Sequence, residues 1–180
     1  IYGARLSGNL NKNLRIGLMN TQTQEQELPG NNYSSLALHQ RVLKRSVLRG
    51  YFHNRVGFSE GSIKGDDFNR IGGLEFNYSS VDSKWRAMAG YGLAFSNENQ
   101  DQNHIFNLLG GYGGRAFNVM VNISGLGDNY INDFSLIPRQ KHYDAVQDTT
   151  YILGFNHWWA TMGYKFYPEN TKNTYQTQVI

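Results

Sequence analysis

Large apolar side chains alternate with small or polar ones in short stretches along the whole chain, and loops separate these stretches. The clearest example is AFNVMVNISG at 116–125, where Phe117, Val119, Val121 and Ile123 occupy every second position. Successive side chains of a β-strand point to opposite faces of the sheet. The pattern therefore predicts strands with one apolar face and one polar face.

The composition distinguishes two folds that are built from such strands, a β-sandwich with a dry core and a transmembrane β-barrel. The apolar positions are rich in Tyr and Phe (12 and 10 in the chain), while Gly, Asn, Ser and Arg fill the other positions. An apolar fraction of 39% and a mean hydropathy of −0.55 are low for a dry core. A transmembrane β-barrel tolerates this composition because only its outer face must be apolar. The fold class predicted is all-β, an antiparallel up-and-down transmembrane β-barrel.

Short and long connections alternate along the chain, as in a bacterial barrel with short periplasmic turns and longer extracellular loops. Short turns are predicted at 11–13, 45–46, 81–84 and 113–115, and long loops at 24–32, 57–67, 97–103 and 126–147. The stretch RVLKRSVLRG also fits an amphipathic helix, but β-branched Val42 and Val47 favour strands. Within 149–167 the apolar register changes phase near 156–159, which predicts a hairpin or a bulge there.

These segments add up to about ten strands, read as one β-barrel domain over 1–180 that is a fragment of a larger barrel. Both ends of the sequence fall within alternating stretches, at residues 2–9 and 174–180. We expect these two strands not to pair with each other. An open edge in a membrane would leave backbone groups unsatisfied, so further strands are expected in the native protein.

Several short motifs occur in an order that resembles a family of Bacteroidota outer-membrane proteins of undefined function. In that family a carbohydrate-binding-like β-sandwich precedes a long β-barrel. The motifs are GARLSG at 3–8, IGLMN at 16–20, NYS at 32–34, RV at 41–42, RS at 45–46, NR at 54–55, NDF at 132–134, IPR at 137–139, YD at 143–144 and YKFYP at 164–168. The resemblance implies an outer-membrane location and supplies no activity.

Polar residues on the second face are the candidate functional residues, because a barrel interior is lined by such side chains. The predicted lumen-facing residues are Arg5, Arg15, Arg41, Arg45, Arg49, His53, Arg55, Glu75, Asn77, Arg86, Asn118 and Asn122. We expect the arginines to lie near acids such as Glu75 or in water, since an arginine facing lipid at the midplane costs roughly 2–4 kcal/mol. An aromatic girdle is predicted at Trp85, Trp158, Trp159 and Tyr167.

No catalytic residue, metal site or cofactor is predicted. The chain lacks cysteine, and its five histidines show no HExxH spacing. No GxSxG sequence is present. The oxygen-rich stretch 97–103 lacks the glycine-turned acidic pattern of a calcium loop. The net charge of +3 comes without a basic run that would indicate nucleic-acid binding.

The sequence thus predicts a non-enzymatic barrel of a Gram-negative outer membrane, acting as a channel or as a structural partner in a surface assembly. Its expected partners are the lipid bilayer, other outer-membrane or surface proteins, and a glycan. The alternative is a soluble glycan-binding β-sandwich. A sandwich should fill its inner faces with Val, Ile and Leu, whereas Arg, Glu and Asn occur here along several strands.

Overall fold

The computed structural model describes residues 1–25, 29–59, 62–97, 101–135, 140–167 and 175–179, and this part of the chain is all-β, with no helix. No helix long and apolar enough to cross a membrane is found among these residues. The strands are β1 (Tyr2–Asn9), β2 (Leu14–Gln22), β3 (Gly30–Val42), β4 (Ser46–Ser59), β5 (Ser62–Ser79), β6 (Trp85–Ser96), β7 (His104–Gly113), β8 (Phe117–Leu126), β9 (Lys141–Asp144), β10 (Thr149–Ile152), β11 (Phe155–Phe166) and β12 (Tyr175–Val179).

Ten of these strands form one antiparallel sheet in the order β1-β2-β3-β4-β5-β6-β7-β8-β11-β12, and β9 and β10 form a separate hairpin. Every neighbour in the large sheet is also a neighbour in the chain, apart from the inserted hairpin. This confirms the predicted all-β antiparallel meander. In the described part of the chain β1 and β12 are the two ends of the sheet and do not pair with each other, as expected from the sequence.

The predicted loop at 57–67 is wrong, because β4 and β5 continue through most of it. Val56 pairs with Phe68, but the next residue, Gly57, pairs with Lys64. Gly65, Asp66 and Asp67 are therefore extra residues on β5 and form a bulge. A bulge accommodates extra residues while the ladder of hydrogen bonds continues on both sides of it. The polar, glycine-rich stretch 57–67 therefore does not interrupt the sheet, although its composition predicts a loop.

The prediction for 126–167 is also corrected. β9 and β10 lie within or beside the predicted long loop, and β11 runs without interruption from Phe155 to Phe166. The register therefore changes at Leu153 and Gly154, not near Asn156–Trp159. At this break the Gly154 amide donates to Oδ1 of Asp128 at 2.6 Å. The helical alternative at 41–50 fails because Leu43, with φ of 54°, lies in a turn between β3 and β4.

The connections sort to opposite ends of the sheet. The turns after β1, β3, β5 and β7 lie at one end, here called the hairpin end, and the connections after β2, β4, β6 and β8 lie at the other, the loop end. The Gly113 amide donates to the Lys84 carbonyl at 2.7 Å, and the Arg41 amide donates to the Asn13 carbonyl at the same distance, which links neighbouring turns at the hairpin end. The predicted turns and loops therefore lie at opposite ends, but the predicted difference in length fails at the β4–β5 connection, because β4 ends at Ser59 and β5 begins at Ser62.

The hairpin end runs obliquely across the strands. Asn9 and Arg15 form the last pair before the first turn, and successive pairing carries this row through His39, Arg49, Glu75 and Gly90 to Asn107. On β7, however, the turn begins six residues further on, after Gly113. A shift of roughly 20 Å along the strands over the six strand spacings from β1 to β7, each about 4.8 Å, inclines the hairpin end by roughly 35° from the perpendicular to the strands. Closed barrels require a stagger of this kind.

Candidate functional site

One face of the ten-stranded sheet, here the apolar face, exposes large apolar side chains from β1 to β11. The pairing places Ile16, Leu38, Leu74, Tyr91 and Phe106 in one row across the strands. Leu74 is 62% exposed, and the neighbouring rows are similar. Further exposed members are Leu6, Leu18, Leu48, Phe52, Tyr78, Phe95, Leu108, Phe117, Val121, Ile123, Met162, Tyr164 and Phe166. Nothing in the described part of the chain covers this face.

A hydrogen-bonded group of polar side chains ends the apolar face at the loop end of β2–β5. Asn20 donates to Oδ1 of Asn32 at 2.9 Å and to Oγ of Ser34 at 2.8 Å. On the next strands Arg70 donates to Oδ1 of Asn54 at 3.2 Å, and its guanidinium lies 4.5 Å from the ring centre of Phe68. The apolar side chains therefore form a band with a polar boundary.

Aromatic rings mark the other boundary of the band, at the hairpin end. The ring centres of Trp85 and Tyr112 are 4.9 Å apart, and Tyr112 lies 6.3 Å from Phe117. Nearby, Tyr167 donates to the Arg115 carbonyl at 3.0 Å, and the Arg115 guanidinium lies over its ring. Sequence reasoning missed Tyr112, although its position just before the Gly113 turn was a usable signal.

The other two predicted girdle residues are separated by the pairing of β11. Trp158 pairs with Ile123 on the apolar face and is 75% exposed, whereas Trp159 pairs with Asn122 on the opposite face. Adjacent residues of one strand cannot share a face. The prediction that Trp159 belongs to a lipid-facing girdle is therefore wrong. Trp158 also lies toward the loop end of β11, away from Trp85 and Tyr167.

The opposite face, the polar face, carries almost all of the predicted lumen-facing residues. Those on it are Arg5, Arg15, Arg41, Arg49, His53, Arg55, Glu75, Asn77, Arg86, Asn118 and Asn122. Arg45 is the exception, because it lies in the β3–β4 turn and belongs to neither face. Its guanidinium donates to the Val81 carbonyl at 2.9 Å and to Oγ of Ser83, which ties two turns together.

Ion pairs on the polar face lie between neighbouring strands. Arg49 on β4 donates to Oε1 of Glu75 on β5 at 2.8 Å, as the sequence predicted for this face. Nearer the loop end, Arg55 contacts Oδ1 of Asp67 and Oδ2 of Asp133, both at 2.7 Å, and donates to Oδ1 of Asn31 at 2.9 Å. Arg55 therefore joins β3, the β5 bulge and the connection after β8.

That connection folds back onto the polar face. Residues 127–135, here the docked segment, insert Tyr130 and Phe134 among side chains of the sheet. Tyr130 is only 2% exposed and packs with Ile71, Ala94 and Leu126. Nδ2 of Asn69 donates to the Ile131 carbonyl at 2.9 Å, and the ring of Phe134 lies 5.0 Å from that of His53. Sequence reasoning treated 126–147 only as a loop and missed this packing.

Burial also raises the pKa of the docked Tyr130 to about 12, with a smaller contribution from Tyr51. The phenol therefore stays neutral across the physiological range, in keeping with its place in the largest apolar contact of the polar face.

The ring of Tyr51 restricts which residues fit beneath it on the polar face. The side chain of Tyr51 lies along the sheet over two glycines of neighbouring strands. A Cβ added to Gly73 would lie 2.5 Å from the Tyr51 hydroxyl oxygen, and one added to Gly92 would lie 2.7 Å from it. Glycine leaves the space into which an aromatic ring can fit across strands.

Among the described residues no group of three or more His, Asp or Glu side chains is arranged to hold a metal ion. Residues 98–100 of the oxygen-rich stretch, and residues 137–139 and 168 of the motifs, lie outside the described residues. Comparison of the chain with family models, with curated proteins and with solved structures found no match.

Proposed function

We propose that this chain forms part of the wall of a β-barrel in the outer membrane of a Gram-negative bacterium. The apolar face contacts lipid, and the polar face lines an aqueous interior. The observation that carries the proposal is the uninterrupted exposed apolar face on a sheet whose other face holds arginines, asparagines and ion pairs. The family resemblance of the motifs favours the same location.

The size of the apolar face supports this assignment over a soluble protein. Soluble monomers rarely expose contiguous apolar patches larger than a few hundred Å². Here the patch continues across nine strands, from Leu6 on β1 to Met162 on β11. A glycan-binding sandwich would bury this face under a second large sheet, whereas the only other sheet in the described part is the β9–β10 hairpin.

The height of the band also fits a bilayer. On β11 it runs from Trp158 to Phe166. At about 3.4 Å per residue this is ~27 Å along the strand. If the hairpin end lies in the membrane plane, its stagger inclines the strands by roughly 35° to the membrane normal. The band on β11 then spans ~22 Å along the normal, near the ~25 Å apolar band of outer-membrane barrels.

Within this assignment the chain acts as a channel or as a structural partner of surface proteins. The polar face favours the channel, because arginines lie on it along β1–β4 and on β6, and an aqueous interior solvates such charged side chains. The docked segment would narrow the interior at the loop end. Conductance across planar bilayers separates the two roles, since a structural partner without an open lumen carries no current.

Paired cysteines test the assignment of the two faces. The chain has no native cysteine, so Ile123→Cys on the apolar face and Ser124→Cys on the polar face can each carry one environment-sensitive dye. In vesicles we expect nitroxide-labelled lipids to quench the dye at 123 and aqueous iodide to quench the dye at 124. Equal quenching of both positions by iodide, or loss of the chain from washed vesicles, would overturn the proposal.

A further inference from the structure

The hairpin end of the polar face contains a cationic cavity. It has a volume of about 330 Å³ and is enclosed by the β1–β2 turn and by the ends of β2 and β3. Lys12, Arg15 and Arg41 line it together with His39, Leu14 and three asparagines of the turn region, and no acidic residue is among the lining. The cavity therefore combines three cations with neutral hydrogen-bonding groups.

The three cations lack partners within the described part of the chain. Arg49, one strand away, is paired with Glu75, but no hydrogen bond or ion pair joins the side chains of Lys12, Arg15 or Arg41 to another described residue. Arg15 pairs directly with His39, and Arg41 follows His39 by two residues on the same face. Arg15 and Arg41 are thus diagonal neighbours on adjacent strands, and residues in this relationship are typically about 7–8 Å apart, within reach of long side chains.

The backbone around the cavity is fixed by short hydrogen bonds. Oδ1 of Asn11 accepts the amides of Asn13 and Leu14 at 2.8 and 2.9 Å, which closes the turn. The Arg41 amide donates to the Asn13 carbonyl at 2.7 Å and fixes β3 against that turn. The cationic side chains therefore extend from a well-defined backbone, although no acidic side chain among the described residues pairs with them.

We propose that this cavity binds a small multivalent oxyanion with phosphate-like chemistry. Two guanidinium groups on neighbouring strands can each donate two hydrogen bonds to a tetrahedral oxyanion, and Lys12 adds a third positive charge. Binding relieves the repulsion between unpaired like charges on one face. Rings of Arg and Lys serve the same purpose in anion and phosphate pores. The placement of the site inside a channel rests on the proposed function, whereas the binding itself does not.

Inorganic phosphate is the probe for this site. Its binding to the detergent-solubilised chain is measured by isothermal titration at low ionic strength, for the wild type and for Arg15→Gln/Arg41→Gln. The matched control is Lys64→Gln/Lys141→Gln, which removes two exposed charges from strands away from the cavity. We expect the wild type and the control to bind equally and the double arginine variant to bind at least tenfold more weakly.

Two further measurements separate a loss of binding from a loss of folding and test the anion specificity of the cavity. Lys12→Gln changes only an exposed turn residue and should weaken binding severalfold even if the double variant does not fold. Sulfate should displace phosphate, whereas chloride at equal ionic strength should not. Absence of phosphate binding to the wild type, equal binding by all variants, or equal displacement by chloride would overturn the inference. Lipid quenching at residue 123 would be unaffected, so the two proposals fail separately.

Discussion

Nε of Arg55 donates to Oδ2 of Asp133 at 2.7 Å and so holds the docked segment against β4. The two side chains are 16% and 34% exposed, and Arg55 also keeps Asp67 at 2.7 Å. Removing the Asp133 charge therefore leaves the guanidinium with a carboxylate partner. The loss of stability should affect mainly the docked segment, and the sheet should stay folded.

We accordingly predict that Asp133→Asn weakens docking by about 1 kcal/mol, the scale of a partly exposed ion pair. Hydrogen exchange of the amides at 129–135 should accelerate severalfold, with the amides of β4 and β5 unchanged. Asp101→Asn is the control, because the Asp101 side chain is exposed and only its carbonyl accepts a bond, from Asn129. Unchanged exchange in Asp133→Asn would show that Tyr130 and Phe134 suffice to hold the segment.

The alternation in the sequence was enough to predict most of the sheet. For example, β6 lies between the predicted turn at 81–84 and the predicted loop at 97–103, and the odd and even residues of β8 lie on the predicted faces. The period of two is a local property, so it is readable without knowing the partner strand. Bulges and tertiary docking are not local. The Gly65–Asp67 bulge depends on which residues of β4 pair with β5 on either side of it. The position of Tyr130 depends on its packing against Ile71 and Ala94, which are distant in sequence.

The errors at single residues have the same origin. Trp158 and Trp159 were both assigned to one girdle because aromatic residues cluster near barrel interfaces, but neighbouring positions face opposite sides of β11. Arg45 was assigned to the lumen with the arginines around it, although it occupies a turn. The cationic cavity could not be predicted from the sequence for a related reason. Lys12 and Arg41 line the same cavity only because β2 pairs with β3 in this register, and the pairing is not a local property of the sequence.

A second prediction concerns the glycines under Tyr51. In Gly73→Ala the new Cβ would lie 2.5 Å from the Tyr51 hydroxyl oxygen and 2.8 Å from the Tyr91 carbonyl, so the ring must move. We expect destabilisation of about 1–3 kcal/mol, typical of overpacking. Gly110→Ala is the matched control, because nothing lies within 4 Å of its added Cβ. Urea unfolding followed by tryptophan fluorescence measures both, and equal stabilities would argue against the ring placement.

A third prediction follows from Tyr130, whose pKa is raised by burial to about 12. An unfolded tyrosine has a pKa of about 10. Between these values the unfolded chain has lost the proton and the folded chain keeps it, so stability falls as the pH rises from about 10 to about 12. The expected loss is about 2–3 kcal/mol, at 1.36 kcal/mol per pKa unit.

Tyr130→Phe should lack this part of the alkaline loss, while Tyr2→Phe, at an exposed position, should keep it. The measurement is the unfolding free energy of each variant as a function of pH. Subtracting one variant from the other removes the titration of lysines and of the other tyrosines. Parallel pH profiles for the two variants would contradict the assignment of a raised pKa to Tyr130.

The last prediction tests the environment of the apolar face. Leu108 is 48% exposed on β7 and pairs with Ile123 and Ala89, while its neighbour Asn107 lies on the polar face. If the apolar face contacts lipid, Leu108→Arg should cost roughly 2–4 kcal/mol in vesicles, because the charge enters the hydrocarbon region. Asn107→Arg places the same side chain at a half-buried position of the polar face and removes the long hydrogen bond that Oδ1 of Asn107 accepts from Asn122 at 3.4 Å, so it should cost only about 1 kcal/mol. In a soluble protein Leu108→Arg would not cost more than Asn107→Arg, since an arginine at a half-exposed position reaches water.

The comparison uses reversible urea unfolding in vesicles of two acyl-chain lengths. A penalty for Leu108→Arg that does not exceed the penalty for Asn107→Arg in either vesicle would refute the lipid-facing assignment, whatever the anion measurements give.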